Sequence, residues 1–370
     1  MPTAKPKPIS FQQVISSLLD SATPLPTATL RQFSDISSEN LAALKKIWNQ
    51  VNVERRLELL VNLQDMVETD TLVSFDDLAR FVLADENPGV RIKAIHLLSE
   101  CEDYRLIPQF VRMMKTDTDE GVRSSAAAAL GMFVYLKELD KVTSSEAAHL
   151  EDHLLDAYHN DSSERVQRRA LESLGFSCHP EVPPLIEKAY HHKDEAWIAS
   201  ALFAMGQSAD SSWAHEVIPM LKHPSHEIQL EAVRAAGRLE IAAARQPLLE
   251  MLVRDEDMEE ELYRSIIWSL SEIGGKNVRK VLEALLDKAE DDDEVEFLDE
   301  ALGNLEFTDG SEEFNLFDIH ADDDDEMLDL IVDLEGGEKD ESDDEEEYGR
   351  LFQDEEEDEE ELFEDYDETN

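Results

Sequence analysis

The sequence has few of the features that mark secreted, membrane-spanning or disulfide-stabilised proteins. Only two cysteines occur in 370 residues, Cys101 and Cys178, and they form no Cys-x-x-Cys motif. Two distant thiols predict reduced cysteines in a cytoplasmic protein. No apolar run approaches the roughly 18 residues of a membrane span, and no apolar segment typical of a signal peptide follows the first residues.

Basic residues are scarce. The chain has 33 Lys and Arg against 87 Asp and Glu, which gives a formal charge of -54. This balance argues against binding to nucleic acid or to an anionic membrane, and it favours a basic protein partner or simple solubility. The excess of acidic residues is unevenly distributed along the chain, because residues 304–370 contain 33 acidic and only 2 basic residues.

Motifs for catalysis are also missing. The sequence has no Gly-x-Ser-x-Gly and no glycine-rich phosphate loop. His149 and His153 are four residues apart and share one face of a predicted helix, but the pattern offers no third metal ligand. We therefore expect no catalytic residues, no metal and no cofactor.

What the sequence does contain is a repeat, seen clearly in Val122–Gly131. As a helix, this stretch places Val122, Ala126 and Leu130 on one apolar stripe. Alanines around the stripe leave little side-chain bulk, so that another helix can approach closely. Gly131 is predicted to loosen or end the helix.

The same pattern returns along most of the chain. The Gly131 position recurs as Ser99, Gly131, Gly175, Gly206, Gly237, Ser271 and Gly303, and nine residues before each come Val90, Val122, Val166, Trp197, Ile228, Leu262 and Glu294. A repeat of 31 to 44 residues, one helix pair long, predicts a helical solenoid. The longest spacing is assigned to an insertion at 133–141 and to a capping box, Thr143-x-x-Glu146.

Three regions follow from this pattern. Residues 1–37 form a leader with one short helix, Ile9–Asp20, and residues 38–303 form a solenoid of about eight helix pairs. The first pair is predicted as Ser38–Val51 and Val53–Glu68, and later first helices are placed near 75–84, 104–115, 144–159, 181–191, 211–222, 242–254 and 275–289. Residues 304–370 are predicted to be a disordered acidic tail, because their composition cannot bury a core.

The repeats resemble HEAT repeats, specifically the short bacterial kind called PBS-lyase-like. The resemblance rests on Asn87-Pro88-Gly89-Val90-Arg91-Ile92-Lys93-Ala94, on Glu120 through Gly131, and on Pro224 through Gly237. It implies an all-α solenoid whose second helices line the concave side. It also implies a non-catalytic protein-interaction scaffold or adaptor in a bacterial cytoplasm.

Two enzyme classes share this architecture and stay open as alternatives. Deoxyhypusine hydroxylase, a HEAT-like enzyme, builds a di-iron site from four His-Glu pairs. This sequence has only two, His215-Glu216 and His226-Glu227, at non-equivalent repeat positions. For a phycobilin lyase the sequence shows no distinctive site. A third alternative, an acidic chaperone for basic proteins, rests on the tail alone.

The candidate partner-binding residues fall into two groups. An arginine series in the second helices comprises Arg91, Arg123, Arg168, Arg234 and Arg264, and Trp213 is the tryptophan predicted to be exposed. The arginines could pair with turn aspartates such as Asp85, Asp117 and Asp161. Alternatively, they form a basic concave strip on which the chain's own tail, residues 312–366, docks in competition with a partner.

Short apolar islands interrupt the acidic tail at Phe314–Ile319, Met327–Leu334 and Leu351–Phe352. Such islands are typical of recognition segments, or they are ordinary residues of a solubilising tail. Phe314, Phe317, Leu351 and Phe352 complete the candidate residues.

Overall fold

The computed structural model describes residues 10–142, 145, 147–254, 258–289 and 291–312. These residues form 18 α-helices. They are α1 (Phe11–Leu19), α2 (Thr27–Leu30), α3 (Ser38–Ile47), α4 (Val53–Thr69), α5 (Asp76–Val82), α6 (Pro88–Leu97), α7 (Ile107–Thr116), α8 (Glu120–Glu138), α9 (Leu150–Asn160), α10 (Glu164–Leu174), α11 (Val182–Tyr190), α12 (Glu195–Gln207), α13 (Ala214–Met220), α14 (His226–Arg238), α15 (Arg245–Arg254), α16 (Glu260–Ile273), α17 (Val278–Lys288) and α18 (Asp292–Glu312). Helices α3 to α18 make eight consecutive pairs, so the predicted all-α solenoid is confirmed.

Polar residues at the helix starts explain where several second helices begin. The side chain of Asn52 accepts a hydrogen bond from Arg55 N at 2.7 Å, and that of Asn87 accepts one from Val90 N at 3.2 Å. Asp119 does the same for Val122 N at 3.0 Å. Each cap satisfies an amide that has no partner within the helix.

The short N-terminal helix is present as α1. Ser10 and Gln13 form a capping box at its start, and Val14, Ile15 and Leu18 are buried in the core. Leu19, the last residue of this helix, is 44% exposed.

The second helices form one continuous layer. Helix α4 contacts α6, α6 contacts α8, and this succession continues through α10, α12, α14 and α16 to α18. Among the described first helices, even α7 and α9, which touch each other, make a much smaller contact. Because the second helices are packed more closely than the first helices, the stack curves around the second-helix layer. We call its surface that faces away from the first helices the inner face.

The repeated glycines allow this close packing. A Cβ at Gly175 would lie 2.7 Å from Ala204 Cα, and one at Gly237 would lie 2.7 Å from Ser269 Cα. Gly131 is buried inside α8 against Ser173 rather than at a helix end, so the expectation that it ends the helix is wrong. Its role is close approach between helices, which a single helix pattern does not reveal.

The longest repeat spacing has a simple structural cause. Helix α8 is 19 residues long and runs on to Glu138, so most of the 133–141 insertion lengthens this helix. Phe133, Val134 and Leu136 in the added part are buried. Thr143 and Glu146 of the proposed capping box lie outside the described residues.

The last helix extends beyond position 303, where the sequence placed the end of the solenoid. Helix α18 continues to Glu312, and Leu305 is fully buried. Asn304 Nδ2 donates to Ser271 Oγ at 3.0 Å, and Thr308 Oγ1 donates to Ser271 O at 3.2 Å. Residues 304–308 therefore belong to the packed end of the stack.

Candidate functional site

Arg91 and Arg123, the first two residues of the predicted arginine series, form ion pairs between repeats. Arg91 contacts both carboxylate oxygens of Asp117 at 2.9 and 2.7 Å, and Arg123 contacts those of Asp161 at 2.9 and 3.0 Å. All four side chains are only 11–13% exposed. These two arginines hold adjacent repeats together, as the first of the two interpretations predicted.

We call this series of ion pairs between repeats the arginine–aspartate ladder. It begins one repeat earlier with Arg56, which the sequence pattern missed. Arg56 Nη1 lies 2.9 Å from Asp85 Oδ2, and Trp48 Nε1 donates to the same oxygen at 2.6 Å. The ladder stops after Asp161, where Gln167 replaces the arginine and donates to the Asp161 carbonyl at 2.7 Å.

The other three arginines bridge neighbouring second helices near the inner face. Arg168 donates to Ala196 O at 3.3 Å. Arg234 contacts Glu231 at 2.9 Å and Glu261 at 2.8 Å. Arg264 lies over the Phe297 ring at 4.1 Å from its centroid.

Trp213 differs from the prediction that it is the exposed tryptophan. Trp213 is half-buried and packs against the core, whereas Trp268 is 39% exposed on the inner face. Trp197 is buried, as expected for its repeat position. Phe314, Phe317, Leu351 and Phe352 lie outside the described residues.

The inner face follows a register that can be counted in six repeats from the apolar residue nine before the Gly131 position, which is Val90, Val122, Val166, Trp197, Ile228 or Leu262. Positions three and six after that residue are Lys93 and His96, Ser125 and Ala128, Arg169 and Glu172, Ser200 and Phe203, Glu231 and Arg234, and Ser265 and Trp268. Ten of these twelve are half-buried or exposed, and the other two, Ser200 and Glu172, bond to each other at 2.7 Å. Positions four and five, which lie between them and pack the repeats, are apolar in all six copies, whereas positions three and six differ in character from copy to copy.

Two grooves on the inner face are lined by residues that lie in the second helices or directly after one. The first, the serine groove, has a volume of about 360 Å³ and lies across α6, α8 and α10. Its floor is made of small and apolar side chains, including Ser125, Ala128 and Met132. Arg165 and Arg169 line one wall and His96 the other.

The serine groove is electropositive. None of the described residues that line it is acidic. Desolvation lowers the pKa of His96, and the positive charges of Lys93 and Arg165 lower it further. Arg169 is ion-paired to Glu172, whereas Arg165 has no ion-pair partner among the described residues.

The second groove, the tryptophan groove, has a volume of about 350 Å³ and lies between α14 and α16. Trp268 and Ser265 line it together with Arg234, Arg238 and Glu272. Burial raises the pKa of Glu272 and lowers that of Arg238, so both groups are partly removed from water. Its charges are mixed, because arginine and glutamate side chains line it together.

The histidines and cysteines do not come together. Members of the two His-Glu pairs have other partners. His226 Nε2 lies 3.3 Å from Glu259 Oε2, and the backbone carbonyl of Glu216 accepts a hydrogen bond from Tyr190 OH at 3.0 Å. Cys101 and Cys178 are free thiols. Within the part of the chain that the structure describes, no three His, Cys, Asp or Glu side chains are grouped to hold a metal ion.

The architecture defines the class: an α-helical repeat protein. A family model for HEAT repeats matches residues 75–155 and 214–302. These two segments are HEAT repeats, which confirms the HEAT-like solenoid that the sequence motifs predicted.

Solved structures similar to this chain include YibA of Escherichia coli, with 18% identity, a TM-score of 0.39 and coverage of 75% of this chain and 95% of YibA. The CpcE–CpcF complex of phycocyanin lyase from Nostoc sp. PCC7120 shares 17% identity, with a TM-score of 0.42 and coverage of 62% and 94%. Human deoxyhypusine hydroxylase shares 16%, with a TM-score of 0.32 and coverage of 71% and 95%. Identities this low transfer no activity. No curated protein sequence matches the chain.

None of the helices in the described ranges is long and apolar enough to span a bilayer.

Proposed function

We propose that this protein is a non-catalytic scaffold that binds a protein partner along its inner face. One observation carries the proposal: in six second helices, the positions four and five after the apolar residue that starts the count are always apolar, whereas positions three and six vary and are mostly accessible. Residues that only stack repeats have no need to vary in this way. A long accessible row of differing side chains suits recognition of a specific protein segment.

Trp268 is the strongest anchor that this row offers. It is 39% exposed, and its Nε1 donates to Glu272 Oε1 at 3.1 Å, which fixes the ring at the edge of the tryptophan groove. Exposed tryptophans flanked by arginines dominate binding energy at many interfaces. A partner that covers Trp268 also removes an unfavourable apolar surface from water.

Site-specific photocrosslinking in the native host tests this proposal. A photoreactive benzoylphenylalanine replaces Ser265 on the inner face or, as the control, exposed Glu283 on first helix α17. We expect a discrete protein adduct at Ser265 and none at Glu283. Adducts of equal yield at both positions would contradict binding along the inner face.

A second pair of variants tests the anchor itself. Trp268→Ala is expected to lower the Ser265 adduct about tenfold, as loss of an interface tryptophan does. Tyr104→Ala removes an aromatic ring that is 48% exposed but precedes first helix α7, and it should leave the adduct unchanged. Equal losses in both variants would argue that the adduct does not depend on the inner face.

The alternative functions predict different measurements. An enzyme of the di-iron or tetrapyrrole type would carry stoichiometric iron or a bound chromophore, which metal analysis and an absorption spectrum of the purified chain detect. An acidic chaperone would lose its partner between 0.15 and 0.5 M salt, because exposed charges are screened beyond about 8 Å at physiological ionic strength. A partner anchored by Trp268 should largely survive this change.

A further inference from the structure

The serine groove lies on the inner face of a strongly acidic protein, yet the described residues that line it include two arginines and no acidic side chain. Arg165 and Arg169 line it, and Glu172 offsets only Arg169. Its floor of Ser125, Ala128 and Met132 is half-buried or exposed. Nothing in the repeat packing explains this combination of open floor and basic walls.

We propose that the serine groove binds the chain's own tail through Leu351 and Phe352, with the flanking acidic runs contacting its basic walls. Residues 343–347 and 354–361 are all acidic. This segment therefore presents an apolar pair between two blocks of negative charge. The groove presents an apolar and small-residue floor between positive walls, so the two are complementary in both charge and pattern.

The size of the groove favours a short apolar segment. A volume of about 360 Å³ accommodates two large side chains, whereas Met327–Leu334 is an eight-residue island. Two side chains inserted in this way would cover the small residues of α8, and the charged flanks would stay at the rim. This arrangement follows the usual anatomy of a peptide site, with an apolar centre and a polar rim.

Chain length decides which islands can reach the groove. Four helix spacings separate α18 from α10, which is roughly 32–40 Å at 8–10 Å per spacing. Phe314 and Phe317 follow Glu312 by two and five residues and reach at most about 18 Å, even fully extended. Leu351 follows by 39 residues, whose extended length of about 130 Å spans the distance with ease.

Docking within one chain has an energetic advantage. A tethered segment is present at an effective concentration in the millimolar range when its linker can span the two sites. A contact that would be weak between separate molecules can therefore be largely occupied. A partner that needs the inner face must then displace the tail; this consequence rests on the proposed scaffold function, whereas the docking itself does not.

Intramolecular crosslinking of the purified full-length chain tests the docking. Benzoylphenylalanine replaces exposed Ala128 on the groove floor or, as the control, exposed Ala243 on the first-helix side. We expect a monomer-sized product in which Ala128 is joined to the peptide around Leu351–Phe352, and no such product from Ala243. No tail crosslink at Ala128, or only a dimer-sized one, would overturn the proposal.

Matched substitutions identify the docking segment. L351A/F352A should lower the crosslink yield at least fivefold, and F314A/F317A should leave it unchanged because that island cannot reach. Leu362 and Phe363 form another adjacent apolar pair, directly after the acidic run 354–361. Loss of the crosslink in F314A/F317A would overturn the assignment. Loss in L362A/F363A together with an unchanged yield in L351A/F352A would overturn it as well.

The basic wall is tested by charge reversal. Arg165→Glu should lower the yield at least fivefold, because Arg165 is exposed and its charge faces the groove. Arg112→Glu on first helix α7 makes the same charge change at an exposed site away from the inner face. Equal yields in the two variants would overturn the role of the groove's charge. All of these readouts use the chain without a partner, so they can succeed or fail independently of the scaffold function.

Discussion

At the scale of single residues, glycine and serine set how closely the second helices approach. Ser173 Oγ donates to Ala127 O at 2.8 Å, and Ser269 Oγ donates to Val233 O at 2.9 Å, each between neighbouring helices. Such contacts require small residues, because a larger side chain at Gly175 or Gly237 would meet the backbone of the next repeat. The repeat glycines are therefore packing residues.

Gly175→Ala should destabilise the protein. The new Cβ would lie 2.7 Å from both Ala204 Cα and Ala204 O, which are backbone atoms that cannot move alone. Overpacking of this kind costs about 1–3 kcal/mol. Urea unfolding of the full chain, followed by circular dichroism, measures the loss as a lower midpoint.

Gly303→Ala is the matched control at the equivalent repeat position. No atom lies within 4 Å of its Cβ, and it stands inside α18. Alanine should stabilise this helix by about 0.5–1 kcal/mol through backbone entropy. Equal destabilisation by both substitutions would show that helix–helix approach does not explain the repeat glycines.

At the scale of the helix pair, the arginine–aspartate ladder links each repeat to the next. Asp161 receives two hydrogen bonds from Arg123 and one from Ser163 N at 2.8 Å. Burial alone would raise the pKa of Asp161, but these hydrogen bonds outweigh it, so the pKa lies below the usual 3.8. The ionised carboxylate is thus favoured in the folded state.

Asp161→Asn should cost about 3 kcal/mol at pH 7, because it leaves the largely buried Arg123 charge without its counterion. The folded-state pKa of Asp161 is depressed, so its contribution is fully present above pH 3.8 and is lost as the pH falls through the folded value. The difference in urea midpoint between wild type and variant should therefore be constant from pH 7 to 5 and shrink below 3.8.

Asp156→Asn provides the comparison for this element. Asp156 is 52% exposed and pairs with Lys115 at 3.1 Å, so its loss should cost at most about 1 kcal/mol. If the two variants lost equal stability at pH 7, burial of the ladder would not be the cause of its strength.

At the scale of the whole molecule, the stack needs a finished C-terminal end. Leu305 fills the last core position, and Asn304 and Thr308 satisfy groups of Ser271 at the end of α16. Solenoid repeats stabilise one another only through neighbours, so an unfinished terminal repeat weakens the adjacent one.

A chain that ends at Gly303 should unfold at a lower urea midpoint than a chain that ends at Glu312. The shorter chain lacks the fully buried Leu305, whose loss costs about 3 kcal/mol, and leaves Ser271 without its two partners from α18. Hydrogen exchange should show the difference concentrated in α16 and α17. Identical midpoints would show that residues 304–312 do not stabilise the stack, and that the solenoid ends at residue 303 as the sequence pattern suggested.

The sequence by itself determined the repeat, its register and the approximate positions of the helix pairs. The spacing of residues such as Val122, Ala126 and Leu130 depends only on helix periodicity, and caps such as Asn52 and Asn87 act on amides three residues away. The arginine–aspartate interpretation for Arg91 and Arg123 was also accessible, because both partners belong to the repeated unit.

Only the tertiary structure decided which of the remaining residues form a surface. Trp213 is half-buried while Trp268 is exposed, and Gly131 lies inside a helix, because contacts between different repeats set burial and approach. Arg165 and His96 are 69 residues apart in the chain, and they share one groove because α6, α8 and α10 stack. The periodic spacing of apolar residues predicts which side of a helix is buried. The composition of the inner face depends in addition on how neighbouring helices are placed against one another.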